Sequence, residues 1–442
     1  MRIMCVIHYF ILFGVGGSEY YAYYLCKELS KNHDVIIFFT TSEDGNKGSV
    51  LKGDYDGIAY WALKKDRMSY SHPFHDRNRW VEEEFTKVVE QFKPDIIHFQ
   101  HLINLSFKLP SLAKQRGIPS CMTLHDFWFL CPRTIFLTAE LKLCTNHSPR
   151  NCLDCLEGDI EYYPERSKVN GLWRTVKEEI KKVLNCAKKT TVLFSLALWR
   201  PYWIKKVFKD VDLFIAPSQF LLEKYVHNGI DREKIALLRH GFNKDDFSGD
   251  RAACSPKMRF GFVGTIRAHK GIYLLIDAFN KITGNAELKI YGRVTSALLE
   301  DLKKRIVNPN IHIMGELHKE DKRKAFSEID VLIVPSICYE NSPLTISEAF
   351  LSKIPVITSN IGGMAELVKD GEYGFTFPVG NVEQLQEKIQ LFINDPELRD
   401  NLAANLPEVN DIKTHAKELV NMYHDVIKCS KSLPAQFKNN KM

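Results

Sequence analysis

Short apolar runs alternate along the chain with stretches whose apolar residues recur every three or four positions. In the first half the runs are Ile3–His8, Val35–Phe39, Asp95–Phe99, Pro119–Leu124 and Leu213–Ala216. They hold almost no polar position, as strands covered on both faces do. Helical patterns such as Ser18–Leu29 and Trp80–Phe92 lie between them. A second series follows: Arg259–Val263, Leu288–Tyr291, Ile311–Met314, Val331–Val334 and Val356–Thr358, with helical stretches including Tyr273–Ile282 and Thr345–Ser352. Strand and helix in strict alternation predict parallel α/β sheets. The polar, aperiodic stretch His240–Pro256 separates the two series and reads as a linker. Two Rossmann-like units are expected, each binding ligands beyond the carboxyl ends of its strands, so that facing units enclose a deep cleft. The boundaries predicted are 1–245 for the first unit and 257–412 for the second. Residues 413–442 are expected to form a helix that crosses back to the first unit, and then a tail.

Composition adds limits. The length of 442 residues exceeds what one core usually organises. An apolar share of 45% and a charged share of 26% are ordinary for a soluble chain, and a net charge of +6 does not argue for nucleic acid. The apolar start MRIMCVIHYFILFGVGG contains His8 and ends in glycines without a cleavage site, so it reads as a first strand rather than a signal peptide. No uncharged apolar run approaches the roughly 18 residues of a membrane span. A cytoplasmic protein is expected, with contact to the inner membrane face as an added possibility.

Four loops carry candidate chemistry. Glu340-Asn-Ser-Pro-Leu-Thr-Ile-Ser-Glu348 follows the strand VLIVPS; Ser342 suits a helix cap and Pro343 a first helical position. Glu340 then stays in the loop, and Glu348 lies about 7 Å along the helix at 1.5 Å per residue. Helix amides between the two suit a phosphate or a sugar hydroxyl. The loop Gly264-Thr-Ile-Arg267-Ala-His269-Lys270-Gly271 offers a glycine for close approach and two cations for a diphosphate. Gly14-Val-Gly16-Gly17-Ser18-Glu19 forms a strand–helix turn that lacks the third glycine of the dinucleotide fingerprint. His125 and Asp126 end another strand, where an imidazole can meet a sugar hydroxyl and a neighbouring carboxylate can orient it.

In this order the features resemble the family-4 retaining glycosyltransferases of GT-B fold, from Arg2 to about Ile427. The most specific pieces are the E-x7-E segment filled by NSPLTISEA and the stretch HDFWFLCPR at His125–Arg133. PDIIHFQH (Pro94–His101), APSQFL (Ala216–Leu221) and GGMAELV (Gly362–Val368) support them. The resemblance implies that Glu348 binds the ribose of a nucleoside-diphosphate sugar and that Glu340 faces the transferred sugar. The amides around Asn341, Ser342, Pro343 and Leu344 would assist, and Lys270 would meet the diphosphate. Gly16, Gly17, Gly264 and Gly292 would lie against the donor, with His125 at the sugar and Asp126 beside it as catalytic-side groups. The family usually carries Arg after the glycine aligned with Gly264; here Thr265 stands there, and Arg267 is the replacement considered. Front-side transfer to a glycan or lipid-linked acceptor in polysaccharide or glycolipid synthesis is implied, with no cofactor required and no nucleic-acid partner. Two rival readings are a nucleotide-sugar epimerase of the same fold and a non-catalytic sugar-nucleotide-binding partner.

Two features stand outside that scheme. Cys131, Cys144, Cys152 and Cys155 are spaced C-x12-C-x7-C-x2-C, which fits a structural zinc, buried free thiols or a disulfide. Between Lys168 and Lys209 eleven basic residues stand against two acidic ones, interleaved with Trp173, Trp199, Tyr202 and Trp203. That composition suits either an anionic membrane surface or a solvated helix face.

Overall fold

The computed structural model describes residues 1–12, 16–41, 48–65, 77–145, 147–157, 190–247, 255–317 and 321–432. The linker reading at 248–254 and the basic stretch at 168–189 thus lie outside the described residues.

Two separate sheets form, as the two strand series predict. The first runs β3-β4-β2-β1-β5-β6-β7-β8, with β1 Arg2–Val6, β2 Asp34–Thr41, β3 Val50–Tyr55, β4 Ile58–Lys64, β5 Ile96–Phe99, β6 Ser120–Thr123, β7 Leu213–Ala216 and β8 Ile235–Leu237. The second runs β11-β10-β9-β12-β13-β14, with β9 Met258–Val263, β10 Ala286–Tyr291, β11 Ile311–Gly315, β12 Val331–Val334, β13 Val356–Ser359 and β14 Gly374–Phe377. Every pairing is parallel except β3 with β4.

β1 shows why the sequence reads as it does. Alternate residues point to opposite faces, and both faces are core: Met4 and Val6 join one cluster, Ile3 and Cys5 the other. The hairpin β3–β4 was not foreseen. β3 has no buried residue and its sequence VLKGDY carries no apolar run. It is an antiparallel edge strand, and such strands need not be hydrophobic.

The helix Ile412–Ser432 packs on the first sheet: Ile412, Ala416, Leu419 and Tyr423 enter the cluster that holds Ile3 and Cys5. Tyr423 Oη lies 2.6 Å from His98 Nδ1. The chain crosses between the units twice side by side, with Phe242 N donating to Asn410 O and Ile412 N to Phe242 O. Gly241 is required at this crossing, since a Cβ there would lie 2.5 Å from His415 Cβ. No helix among the described residues is long and apolar enough to cross a membrane.

Candidate active site

The strand-end loops of the two sheets meet. On the second unit, β9 delivers Gly264 to Lys270, and β12 delivers Ser336 to Asn341. Lys270 Nζ donates to Glu340 Oε1 at 2.5 Å, and Ser336 Oγ donates to the same oxygen at 2.9 Å. Burial alone would raise the Glu340 carboxyl; Lys270 and the Ser336 hydroxyl outweigh it and hold the pKa below the usual carboxylate range. The same pair keeps Lys270 charged, its pKa raised by Glu340 against the pull of burial. Arg267 stands close enough to oppose the charge on both Lys270 and His269. The loop thus concentrates cations at one point of the cleft.

Gly292, at the end of β10, makes this loop possible. A Cβ on it would lie 1.7 Å from the carbonyl oxygen of Gly264, and its φ of 157° is one that glycine tolerates. Gly264 itself has open space beside it.

The helix after β12 begins at Leu344, with Pro343 at its cap and no side-chain cap bond. Ser342 is therefore not the cap expected of it. It lines a cavity of 460 Å³ with Arg239, Glu366 and Lys369, while Leu344 and Glu348 line a separate cavity of 40 Å³ with Tyr20, Tyr24 and Asp246. The loop-to-helix junction thus sends Ser342 and Glu348 to different spaces. Glu348 is 4% exposed; its Oε1 meets Lys322 Nζ, and its Oε2 is buried without a hydrogen-bond partner among the described residues. Lys322 also sits over the Tyr20 ring, 5.1 Å from its centroid.

On the first unit, His125 follows β6 and places Nε2 2.8 Å from Gln100 Oε1. Burial, then the neighbouring His101, His98 and His8, push its pKa well down, so the ring is neutral. Asp126 does not orient His125, contrary to the expectation. It accepts from Trp128 N at 2.8 Å and faces His101 Nε2 at 3.3–3.4 Å. Successive residues after a strand diverge, so sequence neighbours need not share a partner. A second imidazole–carboxylate pair, His8 with Glu19 at 3.1 Å, stands alongside, the two histidine rings 4.7 Å apart.

The loops touch across the cleft. Asn341 Nδ2 donates to the carbonyl oxygens of Leu124 and His125, and a Cβ on Gly17 would lie 3.2 Å from Leu344 Cδ1. Gly16 instead lies against Glu19 Oε2, 2.5 Å from where a Cβ would stand. Glu366 of the second unit accepts from Gln219 N and Phe220 N, at the start of a first-unit helix, and from Arg239. Lys322, His8 and Ser336 were not singled out by any motif, while Glu19 closed the glycine loop Gly14–Glu19 and Gln100 and His101 closed the stretch PDIIHFQH without a role assigned to them.

Comparison with known proteins now decides the family. Residues 15–246 match the family model Glycosyltransferase Family 4, and residues 244–409 match Glycosyl transferases group 1. The chain belongs to glycosyltransferase family 4. Among curated relatives of this family, the capsular polysaccharide biosynthesis glycosyltransferase CapM of Staphylococcus aureus is 26% identical over 51% of this chain and 66% of its own length. An uncharacterised 42.6 kDa protein in the cps region of Klebsiella pneumoniae is 22% identical over 83% of this chain and 87% of its own. The chain spans 66% and 56% of the first two relatives it matches, the second being a glycosyltransferase of Methanocaldococcus jannaschii.

Solved structures share the fold. Sucrose-phosphate synthase from Thermosynechococcus elongatus superposes with a TM-score of 0.69 at 16% identity, covering 97% of this chain and 99% of that one. HepE of Anabaena, solved with UDP and glucose, gives 0.61 at 16% identity over 98% and 100%. The fold is GT-B, two facing Rossmann-like units as the resemblance implied.

Cys131 and Cys144, in a loop beside the cleft, and Cys152 and Cys155, in the helix Pro149–Glu157, are free thiols. Among the described residues no group of three or more His, Cys, Asp or Glu stands in a metal-holding arrangement. A cavity of 620 Å³ outside the cleft is lined by Phe129, Arg200, Lys205 and Lys234 in the first unit.

Proposed function

We propose that this family-4 member is a retaining glycosyltransferase that moves a sugar from a nucleoside-diphosphate donor to a glycan or lipid-linked acceptor. The observation that carries the reading is the pair of glutamates on one strand-end loop and helix, Glu340 half-buried and Glu348 buried. Glu340 is held charged by Lys270, and Glu348 keeps one buried oxygen without a partner. A buried carboxylate oxygen left unpaired costs free energy that a ribose hydroxyl would recover. Lys270, Arg267 and the amides ahead of Leu344 suit the diphosphate, and the neutral His125 suits a hydroxyl of the sugar. Relatives named for capsular polysaccharide and amylovoran biosynthesis support a role in polysaccharide assembly.

In the reaction, the bond from the sugar's anomeric carbon to the diphosphate oxygen breaks while the acceptor oxygen bonds on the same face. The acceptor's proton passes to the departing diphosphate, whose charge Lys270 and Arg267 meet, so no cofactor is required. The 40 Å³ space at Glu348 is smaller than the roughly 300 Å³ of an ordinary ligand pocket. Donor entry therefore requires the loops joined by Asn341 and Leu344 to part, and their return would exclude water. The exposed Phe194, Leu198 and Tyr202 lie on one line of the stretch 190–210, near Lys205, Lys206 and Lys209. We place the inner membrane face against them, which suits a lipid-linked acceptor.

The test is a panel of UDP-, GDP- and ADP-sugars on the wild type and Glu348→Ala, read by thermal shift and product analysis. One donor class should stabilise the wild type and yield a new glycoside with retained configuration. Equal shifts for both proteins would remove the ribose assignment, and an epimerised or unchanged donor in the presence of every acceptor offered would remove the transferase reading.

A further inference from the structure

The 620 Å³ cavity of the first unit has the size of a small-molecule site, roughly 300–1,000 Å³. The helix Arg200–Asp210 forms one wall. Pro201, Ile204 and Phe208 recur there at three- and four-residue spacing, so they share a face. Lys205 and Lys209 follow Ile204 and Phe208 along the edge of that face and are exposed. Phe129 and Leu130, from the stretch that begins at His125, make a second apolar wall, with the Phe129 ring 5.8 Å from that of Phe208. Apolar surface therefore lines the interior, and ammonium groups stand at its rim.

The rim carries more positive than negative charge. Lys234 Nζ donates to Lys209 O at 3.1 Å, and Lys114 Nζ donates to the same oxygen at 3.2 Å, so two ammonium groups share one acceptor. Lys114 has Asp212 at 4.0 Å, whereas Lys234 has no carboxylate that close among the described residues. Lys205 and Lys209 make no side-chain hydrogen bond or ion pair among the described residues. Asp231 is the one carboxylate among the described lining residues, and Asp210 nearby is taken by Lys206 and Ser111. An anion at this end would relieve the crowding of like charges. The cavity is also tied to the cleft. Arg200, which lines it, donates to Trp128 O and sits 5.0 Å over the Trp128 ring, and that ring lies 5.1 Å from His101.

We propose that this cavity binds a phosphate-bearing apolar chain, the lipid end of a lipid-linked acceptor. The chain lies on Phe129, Ile204 and Phe208, and the phosphate meets Lys205, Lys209 and Lys234. Neither half of the lining is explained by another ligand class: a free sugar phosphate would leave the apolar walls unused, and a plain hydrocarbon would leave the ammonium groups unpaired. The route in is short. Ala197 and Pro201 line the cavity, and the residues that follow them, Leu198 and Tyr202, belong to the exposed line placed against the membrane. The inference rests on the reading of the acceptor as lipid-linked and gives that reading a site. A chain held here presses on Phe129, four residues from His125, and so anchors the acceptor beside the loop that faces the donor sugar.

The experiment titrates the full chain, with no donor present, against farnesyl diphosphate, farnesol and inorganic diphosphate by calorimetry. Farnesyl diphosphate should bind, and each of the other two should bind about tenfold more weakly or less. Lys205→Ser/Lys209→Ser should weaken farnesyl diphosphate about tenfold while leaving thermal stability unchanged, since both side chains are exposed. Ile204→Gln should weaken it through the apolar wall, and Lys270→Met, in the cleft, should leave it unaltered. Inorganic diphosphate binding as tightly would reduce the site to a bare anion site, and farnesol binding as tightly would reduce it to an apolar patch; either overturns the proposal. So does no binding, or binding lost in Lys270→Met and kept in the Lys205/Lys209 double variant. Because no donor is used, failure of the transferase reading would show in the donor panel and leave this result standing.

Discussion

Asn341 reaches across the cleft to the main chain of His125, donating from Nδ2 at 3.2 Å to its carbonyl and at 3.3 Å to that of Leu124. Its Oδ1 accepts from Ser218 Oγ at 2.8 Å. One buried amide therefore sets the spacing between the Glu340 loop and His125. Asn341→Ala leaves these groups without their partner and should destabilise the protein by about 1–3 kcal/mol in urea unfolding. Small-angle scattering should show a more open average shape. Unchanged stability and shape would mean that the loops are held apart from this contact.

Buried Glu348 and half-buried Lys322 form a pair joined to the Tyr20 ring. Removing one charge strands the other, so Lys322→Met should cost about 3–5 kcal/mol. Lys322→Met/Glu348→Leu should recover part of that, a coupling measurable by a double-mutant cycle. Additive losses would show that the pair contributes nothing as a pair. Glu348→Ala should weaken donor affinity by roughly 10–100-fold, the range for hydrogen bonds to a charged group.

Acid should unfold this protein early. Burial pulls His98 down to about 3 and His415 and His269 to about 4 from the usual 6.5, and it lowers His125 and His240 in the same direction. Below pH 6.5 the unfolded chain takes up protons that the folded chain refuses, so stability falls as pH drops toward those folded values. Glu340 and Asp126, depressed by their partners, add a loss of the same sign lower down, as pH falls through their folded values. Each imidazole contributes about 1.4 kcal/mol per pH unit once its unfolded form is protonated. Urea unfolding at pH 7.0, 6.0 and 5.0 should show a steepening decline, smaller in His98→Gln. A flat profile would mean that these rings are protonated in the folded state.

The line of Phe194, Leu198 and Tyr202 supplies a membrane test. Leu198→Asp should reduce sedimentation with anionic vesicles severalfold and leave thermal stability unchanged, since Leu198 is 61% exposed. Equal sedimentation with neutral vesicles, or none with either kind, would remove the membrane face from the proposed function.

Much was legible without coordinates because it is local. Ile3–Val6 reads as a strand because each residue buries itself against one of two cores, and that leaves an unbroken apolar run in the sequence. The E-x7-E segment likewise carries its own loop and helix, so Glu340 and Glu348 were found by spacing. Partners were not legible, because they come from elsewhere in the chain. Lys322 lies 26 residues from Glu348, His101 lies 25 from Asp126, and Tyr423 lies 325 from His98. The sequence alone determined two α/β units, their order and the loops that bear chemistry. Only the tertiary structure decided that Asp126 serves His101 rather than its neighbour His125, and that Ser342 turns away from Glu348. Local periodicity records which face of an element is buried; which side chain meets it there depends on how distant strands end together.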